Sequence, residues 1–100
     1  MKIYIAGKIT GDNDYKAKFQ EAAEKLEALG HVVLNPAILP AGLAEQDYMQ
    51  ITLAMLNAAD LAVFLPDYQE SAGAMIEWAW CKRTGKDCTL YSDMKGGGHG

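Results

Sequence analysis

Four short apolar or β-rich runs alternate with three stretches of helical periodicity along 100 residues, and no hairpin signal joins any two of the runs. The run Leu61-Ala-Val-Phe-Leu65 is continuous rather than alternating, the pattern of a strand covered on both faces. Lys2 to Ala6 (KIYIA) is a second such run, His31 to Leu34 (HVVL) a third and Asp87 to Tyr91 (DCTLY) the last. Between the first two, Phe19, Ala22, Ala23, Leu26 and Leu29 recur at helical spacing from about Asp14 to Leu29, and Gly30 follows as a stop signal. Further helices are expected from about Glu45 to Ala59 and from about Ala72 to Thr84, the latter stopped by Gly85. The order β-α-β-α-β-α-β implies a parallel sheet with right-handed crossovers and helices on both faces. Such sheets bind ligands beyond the carboxyl ends of their strands, where the strand order reverses. The loops Gly7 to Gly11, Asn35 to Pro40 and Pro66 to Gly73 are therefore the ones to watch.

The second helix carries Tyr48, Ile51, Thr52, Met55 and Ala59 on one side, with Leu53 and Leu56 opposite. Burial on two faces is the expectation, and in so small a domain it points to a homodimer or higher homo-oligomer. The third helix is expected to turn Ala72, Met75, Ile76, Ala79 and Trp80 inward.

Half the residues are apolar and 22% are charged, which describes one compact domain, here assigned to residues 1–91. Ser92 to Gly100 is Gly-rich, lacks an apolar period and reads as a flexible tail in which His99 has no role. The net charge of −4, with no cluster of Lys and Arg, argues against a polymeric nucleic-acid partner. No window approaches the roughly 18 apolar residues of a bilayer span, so no membrane partner and a cytoplasmic location are expected. Cys81 and Cys88 are too few and too isolated for a disulfide framework or a zinc site and read as reduced thiols. Neither a metal nor a cofactor is expected, and both the dinucleotide fingerprint and the Walker pattern are missing.

Polar groups concentrate in the three loops. Gly7 and Gly11 permit close backbone approach, while Lys8 and Thr10 add a cation and a hydroxyl. Asp60, Asp67, Glu70 and Glu77 place four carboxylates around the third strand and helix. Asp60 precedes the strand, at the end away from the expected crevice, and reads as a turn or helix-end cap. Asp67 leaves the strand at the ligand-binding edge. Ser71 is the natural N-cap of the third helix, and its hydroxyl and the free N–H groups behind it could also bind an anion. Glu77 interrupts the apolar set Met75, Ile76, Trp78, Ala79, Trp80 and Cys81, so it reads as a buried carboxylate, costly unless paired or used. Gly73, one turn earlier, weakens the helix and is best justified by something approaching the backbone closely. Helical side chains lean toward the N-terminus, so Glu77 is expected over Gly73.

Ile3-Tyr-Ile-Ala-Gly7, Ala59-Asp60-Leu-Ala-Val-Phe-Leu65 and Ser71-Ala-Gly73-Ala-Met-Ile-Glu77-Trp-Ala79 together resemble the nucleoside 2-deoxyribosyltransferase superfamily, including its 2′-deoxynucleoside 5′-monophosphate N-glycosidase branch. Nearly the whole chain through Tyr91 is similar to a small bacterial and phage branch of it. The resemblance implies a single Rossmann-like (flavodoxin-like) α/β domain with a four-stranded parallel sheet. It also implies a retaining displacement at a sugar anomeric carbon, on a small-molecule nucleoside or nucleotide, with Glu77 as the nucleophile. Gly7, Lys8, Thr10, Ser71 and Gly73 then fall around the sugar or phosphate. Ser71 stands where the transferases carry a base-assisting aspartate; serine there is similar to the monophosphate glycosidases, and Asp67 becomes the candidate for protonating the base. The alternatives are a non-catalytic module that senses or sequesters a nucleotide-derived molecule, and a purely structural oligomer subunit.

Overall fold

The computed structural model of the chain describes residues 1–97. Strand β1 (Lys2–Ala6) leads to helix α1 (Tyr15–Ala28), β2 (Val32–Leu34), a 3-10 turn at Pro36–Ile38, and α2 (Glu45–Ala58). Then come β3 (Leu61–Phe64), a 3-10 turn at Tyr68–Glu70, α3 (Ala72–Thr84), β4 (Cys88–Leu90) and α4 (Tyr91–Gly97). The four strands form one sheet in the order β2-β1-β3-β4, and every pairing is parallel. Tyr4 is in register with Leu34 on one side and Ala62 on the other. The chain crosses outward from β1 to β2 and outward the other way from β3 to β4. The strand order therefore reverses between β1 and β3, and their carboxyl ends diverge there.

Alternation along the two central strands divides the core in two. Ile3, Ile5, Val63 and Leu65 pack with Phe19, Ala22, Ala23 and Leu26 of α1. Tyr4, Ala6, Ala62 and Phe64 face the other way, against Leu56 and Ala59 at the end of α2 and Ala74 and Cys81 of α3. Both faces of β3 are covered, which is why Leu61 to Leu65 needs no polar position. Phe64 also meets Tyr68 and Trp78 edge-on, at centroid separations of 5.3 and 5.0 Å.

The helix faces depart from the sequence expectation. On α3 the buried residues are Ala74, Glu77 and Cys81, while Met75, Ile76 and Trp80 are exposed. The helix is apolar nearly all round, so periodicity does not choose a face; the small side chains of Ala74 and Cys81 let the helix lie close on the sheet, and the bulky ones turn out. On α2 a single stripe of Thr52 and Leu56 is buried, and Ile51, expected inside, is exposed. This helix thus has one buried face in the monomer instead of two.

The last strand ends at Leu90, and Tyr91–Gly97 forms a short helix where a flexible tail is expected from Ser92. Met94 packs against the α1-side core, giving the segment an apolar anchor that its glycines conceal. His99 lies outside the described residues. Both cysteines are free, and burial pushes the Cys81 thiol up to about 11. Among the described residues, no helix is long and apolar enough to cross a membrane, and no three His, Cys, Asp or Glu side chains are grouped to hold a metal.

Candidate active site

A cavity of about 500 Å³ opens beside the divergence of β1 and β3, within the size range of small-molecule sites. Tyr4 of β1 and Gly7, Ile9 and Thr10 after it form one wall. Tyr48, Met49 and Thr52 of α2 form the opposite wall, and Ser71, Gly73 and Glu77 close it from α3. The α3 stretch is aimed by its cap: the Ser71 side chain accepts a hydrogen bond from the Ala74 N–H at 3.1 Å. That bond satisfies a free donor of the first turn and fixes the angle at which the helix leaves the cavity.

Glu77 is only 4% exposed, on the face of α3 that packs against the sheet. The Tyr4 hydroxyl, itself buried, donates to Glu77 Oε2 at 2.6 Å. Burial raises the Glu77 carboxyl above the ordinary glutamate range, while the Tyr4 hydrogen bond and the nearby Thr52 hydroxyl pull it back down. Burial and the adjacent Glu77 charge hold the Tyr4 phenol well above its usual value, so it remains a donor. Thr52 Oγ1 is close enough to act on both groups, yet among the described residues it has no hydrogen-bond partner of good geometry. The buried carboxylate is thus held by the Tyr4 phenol, with the Thr52 hydroxyl beside both groups.

Gly7, Thr10, Ser71, Gly73 and Glu77, all anticipated from sequence, line this one cavity. Asp67 and Lys8 do not. Asp67 Oδ1 accepts the Lys8 N–H at 3.1 Å, and its Oδ2 takes the Lys18 ammonium, which also reaches Asp12 and the Lys8 carbonyl. Desolvation works against the Lys18 charge, but its bonds to Asp12 and Asp67 outweigh that and leave its pKa raised. Asp67 is therefore a fastener between the loop after β3 and the loop after β1, not a group facing the cavity. The Lys8 ammonium stands 3.5 Å from Glu70 Oε1. Asp60, read as a cap, accepts the Lys2 N–H at 2.8 Å and ties β1 to the start of β3.

The two glycines differ in what they do. A Cβ on Gly7 would sit 3.0 to 3.2 Å from Leu65 and Asp67, so this position is kept bare by the protein itself. A Cβ on Gly73 would meet Met49 Sδ at 3.5 Å, an ordinary contact. The open space there belongs to the cavity.

Sequence reasoning gave no site role to Tyr4, Thr52, Glu45 or Met49. Tyr4 had a readable signal: a phenol in the middle of a buried strand needs a partner, and Glu77 was the one buried carboxylate on offer. Thr52 had none, because nothing local distinguishes a threonine that faces a cavity from one that faces the core.

Among solved structures, the fold is similar to that of a 2-deoxyribosyltransferase from the psychrotolerant bacterium Bacillus psychrosaccharolyticus, with a TM-score of 0.71 and 22% identity over 90% of this chain and 71% of that one. No curated protein matches the sequence. Residues 1–90 match a family model described as "Domain of unknown function (DUF4406)". The four-stranded parallel α/β domain, with its cavity between β1, α2 and α3, thus belongs to the DUF4406 family and shares the fold of a 2-deoxyribosyltransferase.

Proposed function

We infer that the cavity cleaves, or transfers the sugar of, a nucleoside-like N-glycoside, with Glu77 as the nucleophile. The supporting observation is the placement of Glu77, a buried carboxylate lining a small-molecule cavity with one oxygen held by Tyr4. With Oε2 fixed, Oε1 attacks the anomeric carbon as the bond to the base breaks and its electron pair leaves with the base. The resulting glycosyl ester is then opened by water, or by a second base, from the face the first base vacated, giving net retention. Thr10, Ser71 and the bare turn at Gly73 are suited to the sugar, which needs hydroxyl partners and close approach. Lys8 acts from behind the wall through Glu70. The domain that does this is residues 1–91, and exposed Ile51, Met75, Ile76 and Trp80 on α2 and α3 support a homo-oligomer.

The test is a panel of deoxynucleosides and deoxynucleoside monophosphates incubated with purified protein, with free base followed by chromatography. Base release that disappears in Glu77→Ala is expected; release that is the same in that variant ends the reading.

One observation favours a second reading, a binding module that retains a nucleotide-derived molecule without turning it over. Asp67, the group expected to protonate the base, is engaged by Lys18 and lies outside the cavity lining. Stoichiometric retention of a probe with no base released distinguishes this case.

A further inference from the structure

The cavity wall carries charge of one sign. Glu45 at the start of α2 and Glu70 at the end of the Tyr68–Glu70 turn line it together with Glu77, and among the described residues no Lys, Arg or His does. Lys8 remains outside, and its pair with Glu70 is open to solvent, with side-chain exposures of 29% and 67%. A pair so exposed is well screened; it softens Glu70 and leaves Glu45 and Glu77 uncompensated. The Thr52 hydroxyl, more than nine-tenths buried in the same lining, lies beside Glu77 and Tyr4 without a hydrogen bond of good geometry among the described residues. An anionic group entering this space is repelled, and a cation is drawn in.

We propose that the cavity takes an N-glycoside whose base carries a positive charge, selected chiefly by Glu45. This rests on the N-glycoside reading above and narrows it. In the step it implies, a Glu77 carboxylate oxygen forms a bond to the anomeric carbon while the bond from that carbon to the cationic ring nitrogen breaks. The electron pair returns to the ring nitrogen, and the base departs neutral. Water then adds at the same carbon, its proton goes to solvent, and Glu77 leaves as the carboxylate. No proton is delivered to the base at any point, so the absence of Asp67 from the cavity costs nothing. A cation beside Glu77 also opposes the effect of burial and favours the ionised nucleophile.

Three probes test this: 2′-deoxyguanosine, its N7-methyl cation, and 2′-deoxyguanosine 5′-monophosphate. Binding is measured by calorimetry on full-length Glu77→Gln protein, and base release on the native chain with spontaneous loss subtracted. The cation should bind about tenfold tighter than the neutral nucleoside, with the monophosphate weakest. Added salt should narrow the gap. Glu45→Gln should reduce the preference about threefold, and Glu70→Gln should reduce it less, because Lys8 already offsets that carboxylate. Equal binding of cation and neutral nucleoside, tightest binding of the monophosphate, or a preference untouched by Glu45→Gln overturns the proposal. Neutral-base release under those conditions leaves the N-glycoside reading standing; failure of all three probes to bind or react overturns this proposal, and the deoxynucleoside panel above decides the N-glycoside reading separately.

Discussion

Replacing Glu77 with glutamine isolates the cost of one buried charge. The substitution preserves side-chain volume and keeps an oxygen that can accept from Tyr4; only the ionisable group is lost. Burial raises the Glu77 carboxyl, more than Tyr4 and Thr52 lower it, so the folded chain holds this proton more tightly than the unfolded chain does. The unfolded reference is a free glutamate, near about pH 4.3. Below that value both states are protonated and the native chain has its full stability. As pH rises toward the raised folded value, the folded state binds more protons than the unfolded one, and stability falls. Each unit of displacement removes about 1.4 kcal/mol, which in a domain of this size is a loss of about 6–11 °C in Tm. Glu77→Gln escapes that loss. Its Tm should match the native chain near about pH 4 and exceed it by about that amount per unit near pH 8. Thermal denaturation of both chains across this range, followed by circular dichroism, measures the difference directly. A gap that does not change with pH, or a native chain that gains on the variant as pH rises, would refute the reasoning.

Three other substitutions probe different parts of the same structure. Tyr4→Phe removes the hydroxyl that donates to Glu77 Oε2; a hydrogen bond to a charged group contributes about 1.5–3 kcal/mol, so base release at neutral pH should fall about 10- to 100-fold. The loss should shrink as pH rises, because the carboxyl is displaced further upward, and a pH–rate profile shows it. The two cavity glycines should answer alanine with opposite signs: Gly7→Ala crowds Leu65 and Asp67 and should cost about 1–3 kcal/mol in urea unfolding. Gly73→Ala meets no such neighbour and should stabilise α3 by up to about 1 kcal/mol while weakening ligand binding, because its methyl occupies the cavity. Lys18→Met severs the ties to Asp67, Asp12 and the Lys8 carbonyl; the groups are about a quarter exposed, so the loss should be only about 1 kcal/mol. Amide hydrogen exchange in residues 8 to 12 should accelerate all the same.

The order of elements was legible because each boundary is written locally. Gly30 and Gly85 stop helices, Asn35-Pro36 and Pro66-Asp67 stop strands, and the absence of tight-turn signals leaves parallel pairing as the remaining choice. Face was not legible on α3. A periodicity argument needs one polar side, and Ala72 to Cys81 offers only Glu77. That residue stood out because its sequence neighbours are apolar, yet Met75, Ile76 and Trp80 turn out to be exposed, and Glu77 is buried through Ala74 and Cys81 instead. Tyr4 and Glu77 are 73 positions apart, and Lys18 and Asp67 are 49 apart. Both pairings depend on how the strands are ordered, so no window of sequence contains them. The second of them decides that Asp67 serves the loops rather than the cavity.

The two walls of the cavity are attached to the molecule in different ways. On the α1 side, the Lys18 ammonium gathers Asp12, Asp67 and the Lys8 carbonyl, so that the rim after β1 is fastened to α1 and to the loop after β3. On the α2 side, Leu43 lies within the irregular stretch of residues 39 to 44 and Glu45 directly after it, and Tyr48 fastens that stretch through its hydroxyl to the Pro40 carbonyl. Tyr4 and Glu77 stand between, on a strand and a helix that belong to the core. Such a layout separates a fixed part of the cavity from a replaceable one. Residues 39 to 45 can be lengthened, shortened or rewritten to reshape one side of the cavity, while Tyr4 and Glu77 stay where strand β1 and helix α3 hold them.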